Sequence, residues 1–380
     1  MKNHPYKSLS DKAFWRRTVV EPAPGDVDPV GEFNLSITPQ MKVATAGSCF
    51  AQHIARYLKN SGYNYYIAEP GHPHLSEVHH KAHNYGLYSA RYGNIYTARQ
   101  LWQLFERAFG RFRPEEDVWQ ESDDVFLDPF RPTTQPGGYV SRLELDAERE
   151  QHLRAVRTMF ETLDVFVFTL GLTECWRSTI DGAVFPLCPG VEGGVFDPER
   201  HEFYNQNVAD VIDDLTRFRA ALFEVNPDAQ IILTVSPVPL MATAEPGANV
   251  LSATTYSKSL LRVAAETLRR QHDNVHYFPS YEIITGAFSR GAYYADDLRN
   301  VLETGVCHVM GLFMQHATDR RRTETAAAST GKTSDSKRLY ERAQELVEVE
   351  CDEVSLDLPS RPIVRSSSSP RVKTGRAGVR

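Results

Sequence analysis

Ser48 is the residue whose type and setting together most directly suggest chemistry. The run Lys42-Val43-Ala44-Thr45-Ala46-Gly47-Ser48-Cys49-Phe50 passes from an apolar, strand-like segment into a turn. Phe50, Ile54 and Leu58 then recur at the four-residue interval that puts side chains on one helical face. Gly62 closes that helix as a C′ glycine, and the aromatic run 63–67 reads as the second strand of a βαβ unit. A serine at such a strand-to-helix junction presents its hydroxyl at the carboxyl edge of a parallel sheet, beside backbone N–H groups that can stabilise an anion. A structural role competes with this, because serine is a good helix N-cap, worth about 1 kcal/mol. Cys49, next to it, is either a further nucleophile or an inert thiol.

Gly47-Ser48-Cys49-Phe50-Ala51 resembles the signature of the GSCFA family, which is similar to the SGNH, or GDSL-like, hydrolases. Tyr92-Gly93-Asn94-Ile95-Tyr96-Thr97, Thr169-Leu170-Gly171-Leu172-Thr173-Glu174 and Tyr256-Ser257-Lys258-Ser259 also resemble blocks of that family, so the likeness runs over residues 5 to 318. The resemblance implies a doubly wound α/β fold with Ser48 as the nucleophile just after the first strand. It implies that the Gly93 N–H helps to form an oxyanion hole with that of Ser48, with Asn94 as an additional donor. Where SGNH enzymes place glycine, any residue, asparagine and aspartate, this chain carries Gly171-Leu172-Thr173-Glu174. Thr173 stands in the asparagine position, and its hydroxyl can still donate one hydrogen bond. Glu174 stands in the aspartate position.

The last block departs further. SGNH enzymes carry aspartate, two residues and then histidine, the histidine serving as general base and the aspartate as its orienting partner. The corresponding run here is Asp297-Leu298-Arg299-Asn300. Asparagine takes no proton at neutral pH, and losing the base costs about 10² to 10⁴ in rate, or roughly 3 to 5 kcal/mol of barrier. An Asp296 or Asp297 carboxylate with a pKa near 4 is a poor substitute. His308, eight residues on, is about 12 Å away if the segment is helical and reads as packing among Val306, Val309, Leu312 and Phe313. Five of the thirteen histidines (His72, His74, His79, His80 and His83) fall within twelve residues. His79 and His83 are spaced i, i+4, which could hold a metal, or one of the cluster could fold over the site as a base. A solvated loop is the simpler account, since no H-E-x-x-H arrangement is present. The expectation is that no metal and no cofactor is required.

The elements that must position these residues alternate. A helix capped by Thr97 runs to Phe109, and residues 111–143 are rich in charge, proline and glycine and read as a surface excursion. A helix over 144–163 leads into Val165-Phe166-Val167-Phe168-Thr169-Leu170, a continuous apolar run expected to be a central parallel strand buried on both faces. Residues 177–203 are loop-like and are read as a cover over the site. A helix over 208–223, a strand over 230–235, a helix over 256–270 with Lys258 solvated near its start, and a strand over 275–278 complete the pattern. The expected fold is α/β, a doubly wound, about five-stranded parallel sheet in a flavodoxin-like three-layer sandwich. Residues 1–40 read as an N-terminal surface arm and 41–318 as the α/β domain. Residues 319–380 read as a flexible linker, a short helix at 338–350 and a basic tail with six Arg or Lys and no acid over its last twenty positions.

At 380 residues with 41% hydrophobic content, the chain can build a sizeable core. A net charge of −7 gives no reason to expect nucleic acid as a partner. Five cysteines without a C-x-x-C pair indicate neither a disulfide framework nor a cysteine-rich zinc site, and fit a reducing, cytoplasmic setting. The first 14 residues lack the apolar core of a signal peptide, and no run of 18 apolar residues offers a membrane span. Two functions lead, ahead of a third, metal-dependent hydrolysis through the histidine cluster. One is an acyl-ester hydrolase or O-acyltransferase of the SGNH type on a small-molecule or carbohydrate ester. The other is a non-catalytic ligand-binding module that has lost its catalytic histidine, with Asn300 in its place.

Overall fold

The computed structural model describes residues 4–319 and Leu356. The linker, the helix expected at 338–350 and the basic tail lie outside the described residues. In chain order the elements are β1 (Val43–Gly47), α1 (Ala51–Asn60), α2 (Glu77–Ala82), α3 (Ala98–Ala108), β2 (Trp119–Ser122), β3 (Val125–Leu127), α4 (Arg142–Thr162), β4 (Val165–Leu170), β5 (Glu174–Ser178), β6 (Val184–Phe185), β7 (His201–Asn205), α5 (Val208–Val225), β8 (Gln230–Val235), α6 (Val250–Gln271), β9 (Val275–Tyr277), α7 (Ser280–Thr285) and α8 (Glu303–Ala317).

The central sheet is parallel, in the order β1-β4-β8-β9. Its strands read as unbroken apolar runs because both faces are covered, and successive side chains divide between two cores. Ala44, Ala46, Phe166, Phe168, Ile231 and Leu233 pack with Phe105 of α3, Phe160 of α4, Phe218 of α5 and Leu261 of α6. Val43, Val165, Val167 and Ile232 pack on the other face with Ile54 and Leu58 of α1, Ile283 of α7 and Phe313 of α8. The result is a three-layer α/β sandwich.

The sheet has four strands, one fewer than expected. Residues 63–67 make a single bridge, Tyr65 to Val43, with hydrogen bonds of 3.0 Å from Val43 N–H to Asn64 O and 2.9 Å from Tyr66 N–H to Val43 O. Further along that edge, side chains take the groups a fifth strand would use. Thr45 N–H donates to Ser89 Oγ at 3.0 Å, and Tyr92 Oη–H donates to Thr45 O. An edge satisfied in this way leaves nothing for a ladder.

Four other expectations change. Residues 177–203, read as loop, contribute to a three-stranded antiparallel sheet ordered β6-β5-β7, and the excursion at 111–143 contains the β2–β3 hairpin. The helix expected from 256 begins at Val250, because Asn249 caps it, its Oδ1 accepting from Leu251 N–H at 2.9 Å. Part of the N-terminal arm is buried. Val27, Val30, Leu35 and Ile37 are core residues, and Ile37 bridges to Thr318 beyond α8.

Candidate active site

β1 reaches the site through Gly47, which is needed there. Its φ is +138°, and a Cβ at this position would stand 2.4 Å from Thr169 O on β4. The chain then turns, with Ala51 N–H donating to Ser48 O at 2.8 Å and Gln52 N–H to Cys49 O at 3.1 Å. Phe50 occupies the N-cap of α1 and makes no side-chain cap bond. Ser48 therefore does not cap the helix. Its side chain is 3% exposed, and its Oγ has no hydrogen-bond partner among the described residues. A buried hydroxyl left unpaired costs about 1 to 3 kcal/mol, so its retention calls for a reason other than stability.

The segment after Tyr88 crosses the end of β1. Ile95 N–H donates to Gly47 O at 2.9 Å, and Tyr96 O accepts from both Gly171 N–H and Leu172 N–H at 3.0 Å. Gly93 lies in the turn at φ +69°, and its N–H has no partner among the described residues. Asn94 is buried. Its Oδ1 accepts from Tyr88 Oη–H and its backbone O accepts from Gln100 Nε2 at 3.0 Å, so it orders the turn that carries Gly93. Gly171 packs directly on Ser48, since a Cβ there would lie 3.0 Å from Ser48 Cβ and 3.1 Å from Tyr96 O. Gly171→Ala is accordingly expected to destabilise the fold by about 1 to 3 kcal/mol, read as a lower urea midpoint with an unchanged slope.

Thr173 and Glu174 are engaged elsewhere. The Thr173 Oγ1–H donates to Asn205 Oδ1 at 2.8 Å, and Asn205 Nδ2 donates to Glu245 Oε2 at 3.1 Å. Glu174 holds the loop after β8, accepting from Thr243 Oγ1–H at 2.7 Å and Ala244 N–H at 3.3 Å. Burial pushes its carboxyl above the ordinary range against the pull of those bonds. Two successive residues of α6 clamp the strand exit from behind. Ser257 Oγ accepts from Thr173 N–H at 3.1 Å, and Lys258 Nζ donates to Gly171 O at 2.6 Å. Lys258 is 1% exposed and not solvated as its type suggested. The signal available in the sequence was its place in the Tyr256-Ser257-Lys258-Ser259 block.

Asp297 and Asn300 lie on a loop closed by the Tyr294–Val301 bridge and tied to the exit of β8 by a 2.8 Å bond from Tyr294 Oη–H to Pro237 O. Both side chains are exposed. Asp297 Oδ1 accepts from the N–H groups of Arg299 and Asn300 at 3.0 and 2.9 Å, and Oδ2 accepts from Asn300 Nδ2 at 2.5 Å. Slight burial pushes the Asp297 pKa up, but these bonds outweigh it and hold the carboxyl below its ordinary value. Asp297 thus fixes the Asn300 side chain, an amide that takes no proton at neutral pH. Neither side chain bonds to Ser48.

The histidines are committed to other contacts. On α1, His53 is buried with Nδ1 3.4 Å from Arg56 Nη2, and burial together with the Arg56 charge lowers its pKa to about 3. His308 Nδ1 lies 2.9 Å from Tyr293 Oη, and burial lowers its pKa. His79 Nδ1 pairs with Ser76 Oγ at 2.7 Å, His80 Nε2 with His72 O at 3.0 Å and His83 Nδ1 with Gln135 Oε1 at 3.1 Å. Among the described residues no group of three or more His, Cys, Asp or Glu could hold a metal ion.

A sequence profile of the GSCFA family matches residues 42–313. No curated protein matches the chain. Among solved structures, the chain is similar to an acetyl esterase mutant with an acetate ion, at 12% identity and a TM-score of 0.30, over 72% of this chain and 94% of that one. With the family profile matched across most of its length, from the exit of β1's preceding turn to the last helix, the chain belongs to the GSCFA family.

Proposed function

We propose that this protein is an acyl-ester hydrolase or O-acyltransferase of the SGNH type, with Ser48 as nucleophile and a small-molecule or carbohydrate ester as substrate. The observation that carries the reading is the Ser48 hydroxyl, which is buried, bonded to nothing among the described residues and located where β1 and β4 part company at the carboxyl edge of the sheet. In the reaction, Ser48 Oγ attacks the ester carbonyl, its proton passes to the leaving oxygen, which departs as the alcohol, and water or an acceptor hydroxyl then cleaves the acyl-serine, returning a proton to Oγ. The Gly93 N–H is the unengaged donor for the tetrahedral oxyanion, with Asn94 shaping its turn. The Ser48 N–H, at 3.2 Å from Thr169 O, can join it by exchanging a long bond for a charged acceptor. Thr173 and Glu174 act by fixing the walls. Cys49, Cys175, Cys188 and Cys307, none of them in a disulfide among the described residues, suit a cytoplasmic setting. No helix among the described residues is long and apolar enough to cross a membrane.

One observation favours a second reading. No side chain among the described residues bonds to Ser48 Oγ, and Asn300, which the family resemblance aligns with the base, is held by Asp297, which suits a binding module without turnover. Hydrolysis of 4-nitrophenyl acetate by the whole chain, with and without a chelator, separates the two. Slow turnover that Ser48→Ala removes supports the esterase. Absence of turnover, with a ligand still bound, supports the binding module. Turnover that survives Ser48→Ala and stops with chelator overturns both.

A further inference from the structure

Beneath the excursion at 111–143, away from the Ser48 hydroxyl's own contacts, lies a cavity of about 20 Å³ with Tyr92, Gln100, Arg107, Arg131 and His152 in its wall and apolar side chains elsewhere. No carboxylate lines it. Most of the polar groups already have partners. Arg131 is paired with Asp128 Oδ2 at 3.0 Å and with Glu148, and His152 Nδ1 with Glu69 Oε2 at 2.7 Å. Gln100 bonds Tyr96 N–H and Asn94 O at 3.0 Å, and Tyr92 Oη–H donates to Thr45 O.

Arg107 is the exception. It is 9% exposed, and its guanidinium makes neither an ion pair nor a hydrogen bond among the described residues. Its guanidinium lies over the Phe130 ring, whose centroid is 4.0 Å from Cζ. A ring face attracts a cation but accepts no set of five N–H bonds and carries no opposite charge. Burial pushes the Arg107 pKa down to about 10, with Asp128 and Asp117 drawing it up and Arg149 and Arg131 driving it further down. Asp128 supplies part of the counter-charge that a buried cation needs, but no acceptor among the described residues meets the Arg107 side-chain N–H groups.

We propose that this cavity is a binding site for one monatomic anion, a halide such as chloride, held by the Arg107 guanidinium with the positive charge of Arg131 behind it. The volume admits one occupant of about the size of a water molecule, so a tetrahedral oxyanion is too large. A water there would accept hydrogen bonds without balancing the charge, whereas one monovalent anion does both. Ser48 does not line the site, while Gln100 and Ile95 in its wall also hold the turn that carries Gly93.

Thermal unfolding of the whole chain at constant ionic strength tests this, comparing sodium chloride and bromide with sodium gluconate and sulfate. Halide at about five times its dissociation constant is expected to raise Tm by about 2 °C, and gluconate and sulfate to leave it unchanged. Arg107→Met should lose the halide dependence. In gluconate it should still unfold in one cooperative transition, because Asp128 keeps Arg131 and Arg149 as its partners. Bromide soaked into wild-type crystals should give one anomalous peak in contact with Arg107, a readout that stands even if Arg107→Met fails to fold. Equal melting in halide and gluconate together with no bromide peak would mean that the cavity holds water only, and would overturn the proposal.

Discussion

Asn300→His is expected to raise hydrolysis of a small activated acyl ester by at least tenfold, and Ser48→Ala in that background is expected to remove the whole gain. The Asp297 carboxylate already accepts from the Asn300 side chain at 2.5 Å, so an imidazole at this position inherits an oriented partner. A positioned general base contributes about 10² to 10⁴, and the loop is anchored to the β8 exit at Pro237, on the same sheet edge as Ser48. A displacement of about 1 Å can cost 10²-fold, which is why the expectation is set at the low end. Steady-state kcat/KM for the wild type, both single variants and the double variant checks it. A double variant as active as Asn300→His alone would exclude Ser48 as the nucleophile.

Arg131→Met is expected to cost about 3 to 5 kcal/mol of stability, a large share of what a domain has. Arg131 joins Asp128, whose side chain is 0% exposed, to Glu148, while Arg149 reaches Asp128 Oδ2 at 3.4 Å and Tyr139 Oη–H donates to Glu148 Oε2 at 2.8 Å. Burial by itself would raise the Asp128 pKa, but the charges of Arg131, Arg149 and Arg107 hold it far below the ordinary carboxylate range. Glu69 in the same network is likewise opposed by burial, yet its contact with His152 and the Arg131 charge bring it down to about 2. A carboxylate depressed on folding contributes stability that is present above its unfolded pKa, near 4, and lost as pH falls toward its folded pKa. The wild type should therefore lose stability from about pH 4.5 down to about pH 2, and Arg131→Met should show a shallower loss over that window. Urea midpoints measured across that range check both statements. A variant as stable as the wild type at pH 7 would show that the network contributes specificity without stability.

β4 and β8 were legible because burial on both faces turns them into unbroken apolar runs, and β8 has the bounds 230–235 that composition suggested. α3 was legible at its start because Thr97 caps it, Oγ1 accepting from Gln100 N–H at 3.2 Å. The strand expected at 63–67 failed for a non-local reason. The groups it would have paired on Thr45 are taken by Ser89 and Tyr92, at sequence separations of 44 and 47 that no periodicity reports. The same limit hid the β5–β7 pairing, in which Glu174 faces Asn205 across a stretch dominated by proline and glycine. Buried charge was the other blind spot. Lys258 and Arg131 carry side chains that composition assigns to solvent, and only the carbonyl or carboxylate each one meets makes its burial intelligible. In the candidate site, motif blocks pointed to Ser48, Gly93, Asn94, Thr173, Glu174, Asp297 and Asn300. Their bonding states could not be read from the chain, because each depends on a partner from another element.

Covalent capture shows whether the Ser48 hydroxyl is a nucleophile. A fluorophosphonate reacts with an activated serine hydroxyl and stays attached, so intact mass followed by peptide mapping reports both the extent of reaction and the residue. The account predicts a single adduct on Ser48, forming slowly in the wild type and faster in Asn300→His, and no adduct in Ser48→Ala. An Asn300→His protein that remains unlabelled, or an adduct that maps to Cys49 or any other residue and persists in Ser48→Ala, would contradict it.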